Sequence, residues 1–229
     1  MKYDVILFDA DDTLLDFQKS EESALERVFS TFGIELTGEI RRGYSQINLS
    51  LWKALERGEV TKQQVLDQRF QRTFQRYGID APKDGSFEQT YQQYLAEGAF
   101  VLPEAERVLR ALEGRCRLAI VTNGVARTQL NRLRLSGLDQ IVRDVFISER
   151  IGAEKPQKKF FDVVFHALGE PPRERVLIVG DSLTSDMRGG VVAGIDNCWF
   201  NPSGAENGVG VPVTYEIRSL TALLEIVGA

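Results

Sequence analysis

VILFDADDTLLDF, residues 5–17, carries four apolar residues straight into Asp9, Asp11 and Asp12. An apolar run without polar alternation is the pattern of a strand buried on both faces, as in a covered parallel sheet. Like charges a few ångströms apart raise one another's pKa or demand a cation. Three carboxylates where a strand leaves the core therefore imply something positive bound beside them. Taken alone, the stretch reads equally as a capped turn. An EF-hand calcium loop is excluded, because the sixth position from Asp9 is Leu14 and the twelfth is Ser20, where glycine and glutamate are required.

Outward from this stretch, apolar runs of strand length recur at Arg117 to Thr122, Asp144 to Ser148, Arg175 to Gly180 and Asn197 to Phe200. Helix-length stretches occupy Pro103 to Leu112, Ala126 to Leu135, Gln157 to Leu168 and Ser185 to Ala193. Repeated strand and helix predict an α/β fold: a doubly wound, Rossmann-like parallel sheet with right-handed crossovers.

Residues 16–97 break the alternation. They hold helical patterns and no strand, and the segment is far longer than a crossover needs. Ala24, Leu25, Val28, Phe29 and Phe32 lie at helical spacing before Gly33, while Thr37 and Thr61 stand as caps of two further helices ending near Gly58 and Gly78. The expected division is a core of residues 1–15 and 98–229 with an inserted helical cap over 16–97. Such an insert is expected above the carboxyl ends of the strands, where open α/β sheets bind ligands.

Composition narrows the function. The chain of 229 residues has a net charge of −5 and no block of clustered Lys or Arg, which argues against a nucleic-acid polymer or an anionic membrane as partner. A small molecule is the expected partner, with the protein a monomer or homodimer. The first strand begins near Tyr3, leaving no room for a signal peptide, and charges interrupt every apolar run short of a membrane span, so the expected compartment is cytoplasmic. Cys116 and Cys198 have neither zinc nor CxxC spacing and read as buried thiols. The single histidine, His166, lies in an apolar helical run and reads as a packing or surface residue.

Four polar motifs end the strands in order: DADDT (9–13), TNG (122–124), KP (155–156) and GDSLTSD (180–186). Loops at the carboxyl ends of neighbouring parallel strands converge, so carboxylates, a hydroxyl and one ammonium meet. Asp9, Asp181 and, alternatively, Asp186 offer hard oxygens suited to Mg²⁺ and a substrate phosphate. With a phosphate admitted, Asp9 is the candidate nucleophile and Asp11 the candidate general acid and base. Thr122, with Asn123 and nearby backbone N–H groups, would hold phosphoryl oxygens, and Lys155 would neutralise their charge. Pro156 is expected to open the next helix. Without the phosphate, Thr122 reads simply as the end of a strand.

These four motifs in this order resemble the haloacid dehalogenase superfamily of phosphohydrolases, over Met1 to about Asn201. The resemblance implies Mg²⁺, or Mn²⁺ in its place, held by Asp9, Asp11 and Asp181, with Asp186 and Thr13 supporting them from behind. The helical insert is similar to the family's C1-type cap. A carboxyl at Asp11 favours phosphate esters over carbon–halogen bonds, because an alkoxide needs a proton and a halide does not. Asp12 stands where a common version of the motif has Gly. That departure, with NLSLW (48–52), RGEVT (57–61), GAEKPQKKFFD (152–162) and AGIDNCWFN (193–201), looks like the bacterial house-cleaning pyrimidine 5'-nucleotidases. The resemblance implies hydrolysis of deoxyuridine, thymidine and uridine monophosphates and of modified pyrimidine nucleotides.

In the cap, Asn48, Trp52 and Arg69 are candidates for reading base or sugar; Trp52 reads equally as core, and Arg69 equally as one half of a surface ion pair. Rival readings are phosphatases for phosphoglycolate or sugar phosphates and a phosphomutase on the same core. A receiver-like signalling module shares the residue types, but its acidic pair comes first, its accepting Asp mid-chain and its Lys last, and it carries no large insert.

Overall fold

The structure, a computed structural model, describes residues 1–229 and divides into two compact units, Met1–Phe17 with Ala99–Ala229, and Gln18–Gly98. In chain order the elements are β1 (Val5–Phe8), α1 (Phe17–Thr31), α2 (Gly38–Glu56), α3 (Lys62–Tyr77), α4 (Ser86–Glu97), α5 (Ala105–Leu112), β2 (Arg117–Thr122), α6 (Ala126–Ser136), α7 (Leu138–Ile141), β3 (Asp144–Ile147), α8 (Ser148–Ile151), α9 (Lys158–Leu168), β4 (Val176–Gly180), α10 (Arg188–Ala193), β5 (Asp196–Phe200), β6 (Tyr215–Ile217) and α11 (Ala222–Val227).

The larger unit is the expected parallel sheet, in the order β3-β2-β1-β4-β5-β6. β1 pairs with β2 and β4 in register, Phe8 lying opposite Ile120 on one side and Val179 on the other. Alternate residues feed two cores. Ile6, Phe8, Ile120, Leu177 and Val179 pack with Val108, Leu109 and Leu112 of α5 on one face. Val5, Leu7, Val121 and Ile178 pack with Phe160, Phe161, Val164 and Phe165 of α9 on the other. Both faces are dry, which is why the strands carry no polar alternation. The connections run outward in opposite directions from β1 and β4, so the switch point lies between these two strands, where doubly wound sheets bind ligands.

Five elements go beyond the sequence reading: the short helices α7, α8 and α11, strand β6 and helix α4. β6 is a sixth strand of only three residues, parallel to β5 with Cys198 opposite Tyr215. In the smaller unit α4 joins the three expected helices. Phe87 and Tyr91 of α4 meet Phe29 of α1 and Phe70 of α3 with ring centroids 5.3 Å (Phe29–Phe87) and 5.0 Å (Phe70–Tyr91) apart. Thr37 caps α2, and Thr61 forms a reciprocal capping box with Gln64 at the start of α3.

Three local expectations are corrected. Pro156 does not open α9, which begins two residues later behind Gln157; the Lys155–Pro156 peptide is cis. The stretch after Ser182 is a π-helical turn, Leu183–Met187, followed by α10. Cys116 is half-buried just before β2, and only Cys198 is fully buried. His166 is a surface residue beside Glu170. No helix is long and apolar enough to cross a membrane.

Candidate active site

The turn after β1 fixes the acidic stretch. Leu14 and Leu15 both donate to the Ala10 carbonyl, at 3.0 and 2.8 Å. Asp12 sits at φ 54°, the left-handed region that glycine enters freely and aspartate tolerates. Its side chain then accepts the Phe17 N–H at 3.0 Å. Asp12 therefore serves the turn and the start of α1, a task glycine could share only in backbone conformation.

At the end of β1, Asp9 is held by its own N–H on the Val179 carbonyl, 2.9 Å away. Lys155, 1 % exposed, reaches it from beyond β3. The ammonium donates to Asp9 Oδ1 at 2.6 Å, to Asp186 Oδ1 at 2.6 Å and to the Val121 carbonyl at 2.7 Å. Burial alone would lower the Lys155 pKa, but Asp186 and Asp9 outweigh it and the ammonium is held protonated. Asn123 holds the Lys155 backbone, accepting its N–H and donating to its carbonyl, each at 2.9 Å. The Asn123 side-chain amide thus braces the lysine.

From the end of β4, Asp181 and Asp186 complete the cluster. The Trp199 indole donates to the Asp181 carbonyl at 2.8 Å, and the Ser182 N–H donates to Asp186 Oδ2 at 3.2 Å. Gly180 is demanded by this arrangement, since a Cβ there would lie 2.2 Å from Asp186 Oδ2. One carboxylate oxygen from each of Asp9, Asp181 and Asp186 lies within 4.8 Å of the others.

The electrostatics of this cluster fit a cation. Burial, then Asp186 and Asp11, push the Asp9 carboxyl up to about 8 against the pull of Lys155. Burial followed by Asp9 and Asp186 raises Asp181 in the same direction. One ammonium does not neutralise three carboxylates. A hard divalent ion is the group whose charge and oxygen preference suit the remainder.

The Asp11 carboxylate is not one of these three. Its Oδ1 pairs with Arg132 Nη1 and its Oδ2 accepts from Gln129 Nε2 at 2.9 Å. Gln129 Nε2 also donates to Thr122 Oγ1 at 2.8 Å, and the Gly124 N–H donates to the same oxygen at 3.1 Å. With both lone pairs engaged, the Thr122 hydroxyl keeps its proton for an incoming acceptor. The Thr13 hydroxyl is buried without a partner. Gln129 and Arg132 were absent from the sequence reading.

The three cap candidates form a network of their own in the smaller unit. Asn48 donates to Glu21 Oε1 at 2.9 Å, and its carbonyl accepts from Trp52 Nε1 at 3.1 Å and Arg69 Nη1 at 3.4 Å. Arg69 is 1 % exposed, pairs with the part-exposed Glu88 and stacks over Tyr91, so its ion pair is half-buried where a surface pair was the alternative. Trp52 is half-buried against the Leu51, Leu55 and Val65 cluster. Burial raises the Glu21 carboxyl despite the Ser45 and Asn48 donors.

Comparison with known proteins agrees with this geometry. The sequence profile of the haloacid dehalogenase-like hydrolases matches residues 3–194. The HAD-hydrolase YfnB of Bacillus subtilis is 42% identical over 98% of this chain and 95% of its own. Its crystal structure, solved bound to magnesium and revealing interdomain movement, superposes with a TM-score of 0.94 over 100% of both chains. Pyrimidine 5'-nucleotidase PynA of Streptococcus pneumoniae is 39% identical over 98% of this chain and 95% of its own. Pyrimidine 5'-nucleotidase YjjG of Escherichia coli is 34% identical over 99% and 98%. A profile spanning most of the chain, with relatives this similar over nearly their whole length, makes the protein an enzyme of the haloacid dehalogenase-like hydrolase family.

Proposed function

We propose that the protein is a Mg²⁺-dependent phosphomonoesterase working through an aspartyl-phosphate, with pyrimidine nucleoside 5'-monophosphates as its substrates. The observation that carries the chemistry is the Lys155 ammonium bridging Asp9 and Asp186 beside Asp181. The nucleotide preference rests on the names of PynA and YjjG at 39% and 34% identity.

Lys155 engages Oδ1 of Asp9, so Oδ2 is the attacking atom. It forms a bond to phosphorus as the bond from phosphorus to the ester oxygen breaks. Asp11 accepts at both oxygens in the resting site. As the acid it carries its proton on the oxygen released by one of these donors while the other holds it. It gives that proton to the ester oxygen, so that the nucleoside leaves as the neutral alcohol. The Asp11 carboxylate then takes a proton from water; the resulting hydroxide attacks phosphorus and frees Asp9 and inorganic phosphate. Thr122 donates its hydroxyl proton to a phosphoryl oxygen, and Lys155 offsets charge that grows on the group in flight. Asp9 and Asp181 would hold Mg²⁺, with Asp186 behind them; the ion, when bound, offsets the repulsion between carboxylate and phosphate.

The test is Mg²⁺-dependent phosphate release from deoxyuridine, thymidine, uridine and purine monophosphates, phosphoglycolate, glyceraldehyde 3-phosphate and a hexose phosphate, with Asp9→Asn alongside. The expected result is the highest kcat/KM for pyrimidine deoxynucleotides and no turnover by Asp9→Asn. Higher kcat/KM for the sugar or acid phosphates would overturn the nucleotidase reading. Retained turnover by Asp9→Asn would overturn the covalent mechanism.

A further inference from the structure

Gln129 and Arg132 are three residues apart on α6 and share its inward face. Arg132 is 0 % exposed and Gln129 is buried with it. Desolvating a guanidinium costs several kcal/mol unless its partners are well placed, so a helix that needed only to pack would carry Leu or Met here. The guanidinium instead faces Asp11 Oδ1, and the same Nη1 donates to Gln129 Oε1 at 3.0 Å. It also lies over the Phe17 ring, 5.9 Å from its centroid. The two protons of Gln129 Nε2 are divided between Asp11 Oδ2 at 2.9 Å and Thr122 Oγ1 at 2.8 Å. Gly124 is shaped for this amide: a Cβ there would lie 2.7 Å from Gln129 Cγ and Cδ.

We propose that Gln129 and Arg132 are positioning residues for the proton-transfer step. They seat the Asp11 carboxylate apart from the Asp9, Asp181 and Asp186 cluster, and Gln129 ties that seat to the hydroxyl that holds the phosphoryl group. This assignment rests on the phosphomonoesterase mechanism above. Its consequence is selective. Expelling an alkoxide needs a well-placed acid, whereas expelling a nitrophenolate does not, so errors in the seat of Asp11 are felt by alkyl esters first.

The experiment compares thymidine monophosphate with 4-nitrophenyl phosphate for wild type, Gln129→Leu, Arg132→Met and Arg132→Lys, each also combined with Asp11→Asn. Circular-dichroism melts accompany every variant, and Arg132→Lys and Gln129→Leu keep the test alive where Arg132→Met does not fold. General acid catalysis is worth about 10²- to 10⁴-fold, and a mis-seated acid should lose about tenfold of it. The expected result is that Gln129→Leu and Arg132→Met lower kcat on the nucleotide at least about tenfold more than on the aryl ester, with partial recovery in Arg132→Lys. In the Asp11→Asn background the same changes should cost less than about threefold more, because residues acting through one group are not additive. Equal losses on both esters, or full extra losses in Asp11→Asn, would overturn the positioning role while leaving the mechanism in place. Turnover by Asp9→Asn, measured in the same series, would instead bring down the mechanism, and this role with it.

Discussion

Lys155→Met removes the one positive charge built into the acidic cluster while keeping side-chain length. In the native protein that ammonium satisfies Asp9, Asp186 and the Val121 carbonyl within 2.7 Å, at 1 % exposure. Removing one partner of a buried ion pair costs about 3–5 kcal/mol. For a chain of this size each kcal/mol moves Tm by about 2–4 °C, so the expected loss is roughly 6–20 °C in metal-free buffer at about pH 9.5, above the Asp9 pKa. The pH dependence follows from the direction of the Asp9 shift. Its carboxyl is raised above the ordinary value of 3.8 by burial first, then by its acidic neighbours, while Lys155 pulls it down. A carboxyl raised by folding favours the folded state at low pH, and that advantage is lost as pH rises through the folded-state pKa. Without Lys155 the pull is gone and the penalty grows. The deficit of Lys155→Met should therefore be level from pH 5 to about pH 7 and grow as pH rises through about 8, where Asp9 ionises in the native protein and stays protonated in the variant, read by thermal melts from pH 5 to about 9.5 in EDTA. A deficit that is flat with pH, or larger at pH 5, would refute the electrostatic account. So would a Tm at about pH 9.5 within about 3 °C of wild type, since that implies a cost of about 1 kcal/mol.

Gly180→Ala should drive the Asp186 carboxylate from its place, because the new Cβ falls 2.2 Å from Oδ2; titration calorimetry with Mg²⁺ should show at least about tenfold weaker binding, a loss of about 1.4 kcal/mol. Saturating Mg²⁺ should raise the wild-type Tm more at pH 8 than at pH 5.5, since Asp9 and Asp181, both raised, must shed protons to bind it; an equal shift at both pH values would argue against these two as ligands. Arg69→Met should destabilise the smaller unit by about 1.5–3 kcal/mol through the hydrogen bonds lost to the part-exposed Glu88. Arg69→Met with Glu88→Leu should recover much of that in urea melts, and failure to recover would assign the loss to the Tyr91 stack.

The legible parts of the sequence were those where one rule ties residue order to place. Val5 to Phe8 and Val176 to Gly180 announce themselves as strands because both faces are covered and no polar residue interrupts them. The rule that parallel strands present their carboxyl ends together then joins Asp9, Thr122, Lys155 and Asp181 across more than 170 residues of chain. What escaped was short or lacked a cap signal. β6 has three residues and owes its strand state to pairing with β5. α4 carries Phe87, Tyr91 and Leu95 at helical spacing, but begins behind Gly85, whose missing side chain offers no cap. Side-chain aim escaped altogether: nothing in TNG distinguishes an amide that binds phosphate from one that braces the Lys155 backbone.

The helix at α6 is predicted over Ala126 to Leu135, but its buried face escaped for a more instructive reason, since its pattern is inverted. Sequence reading assigns Leu to the core and Gln or Arg to solvent. In α6 Thr128, Gln129 and Arg132 are buried beside Leu133, while Leu135 is 48 % exposed. An apolar residue turned outward and a guanidinium turned inward on one helix both cost free energy, so the register of α6 is not set by hydrophobic burial alone. The buried ligands offset that cost: Asp11 receives Arg132 and Gln129 together, and Thr122 receives Gln129. A polar stripe sharing a helix face with Leu133, directly after a strand that ends in Thr122, was the signal available in TQLNRL. Such inversions mark places where local preference is overridden for a site, and here the override falls on the carboxyl assigned to move the proton.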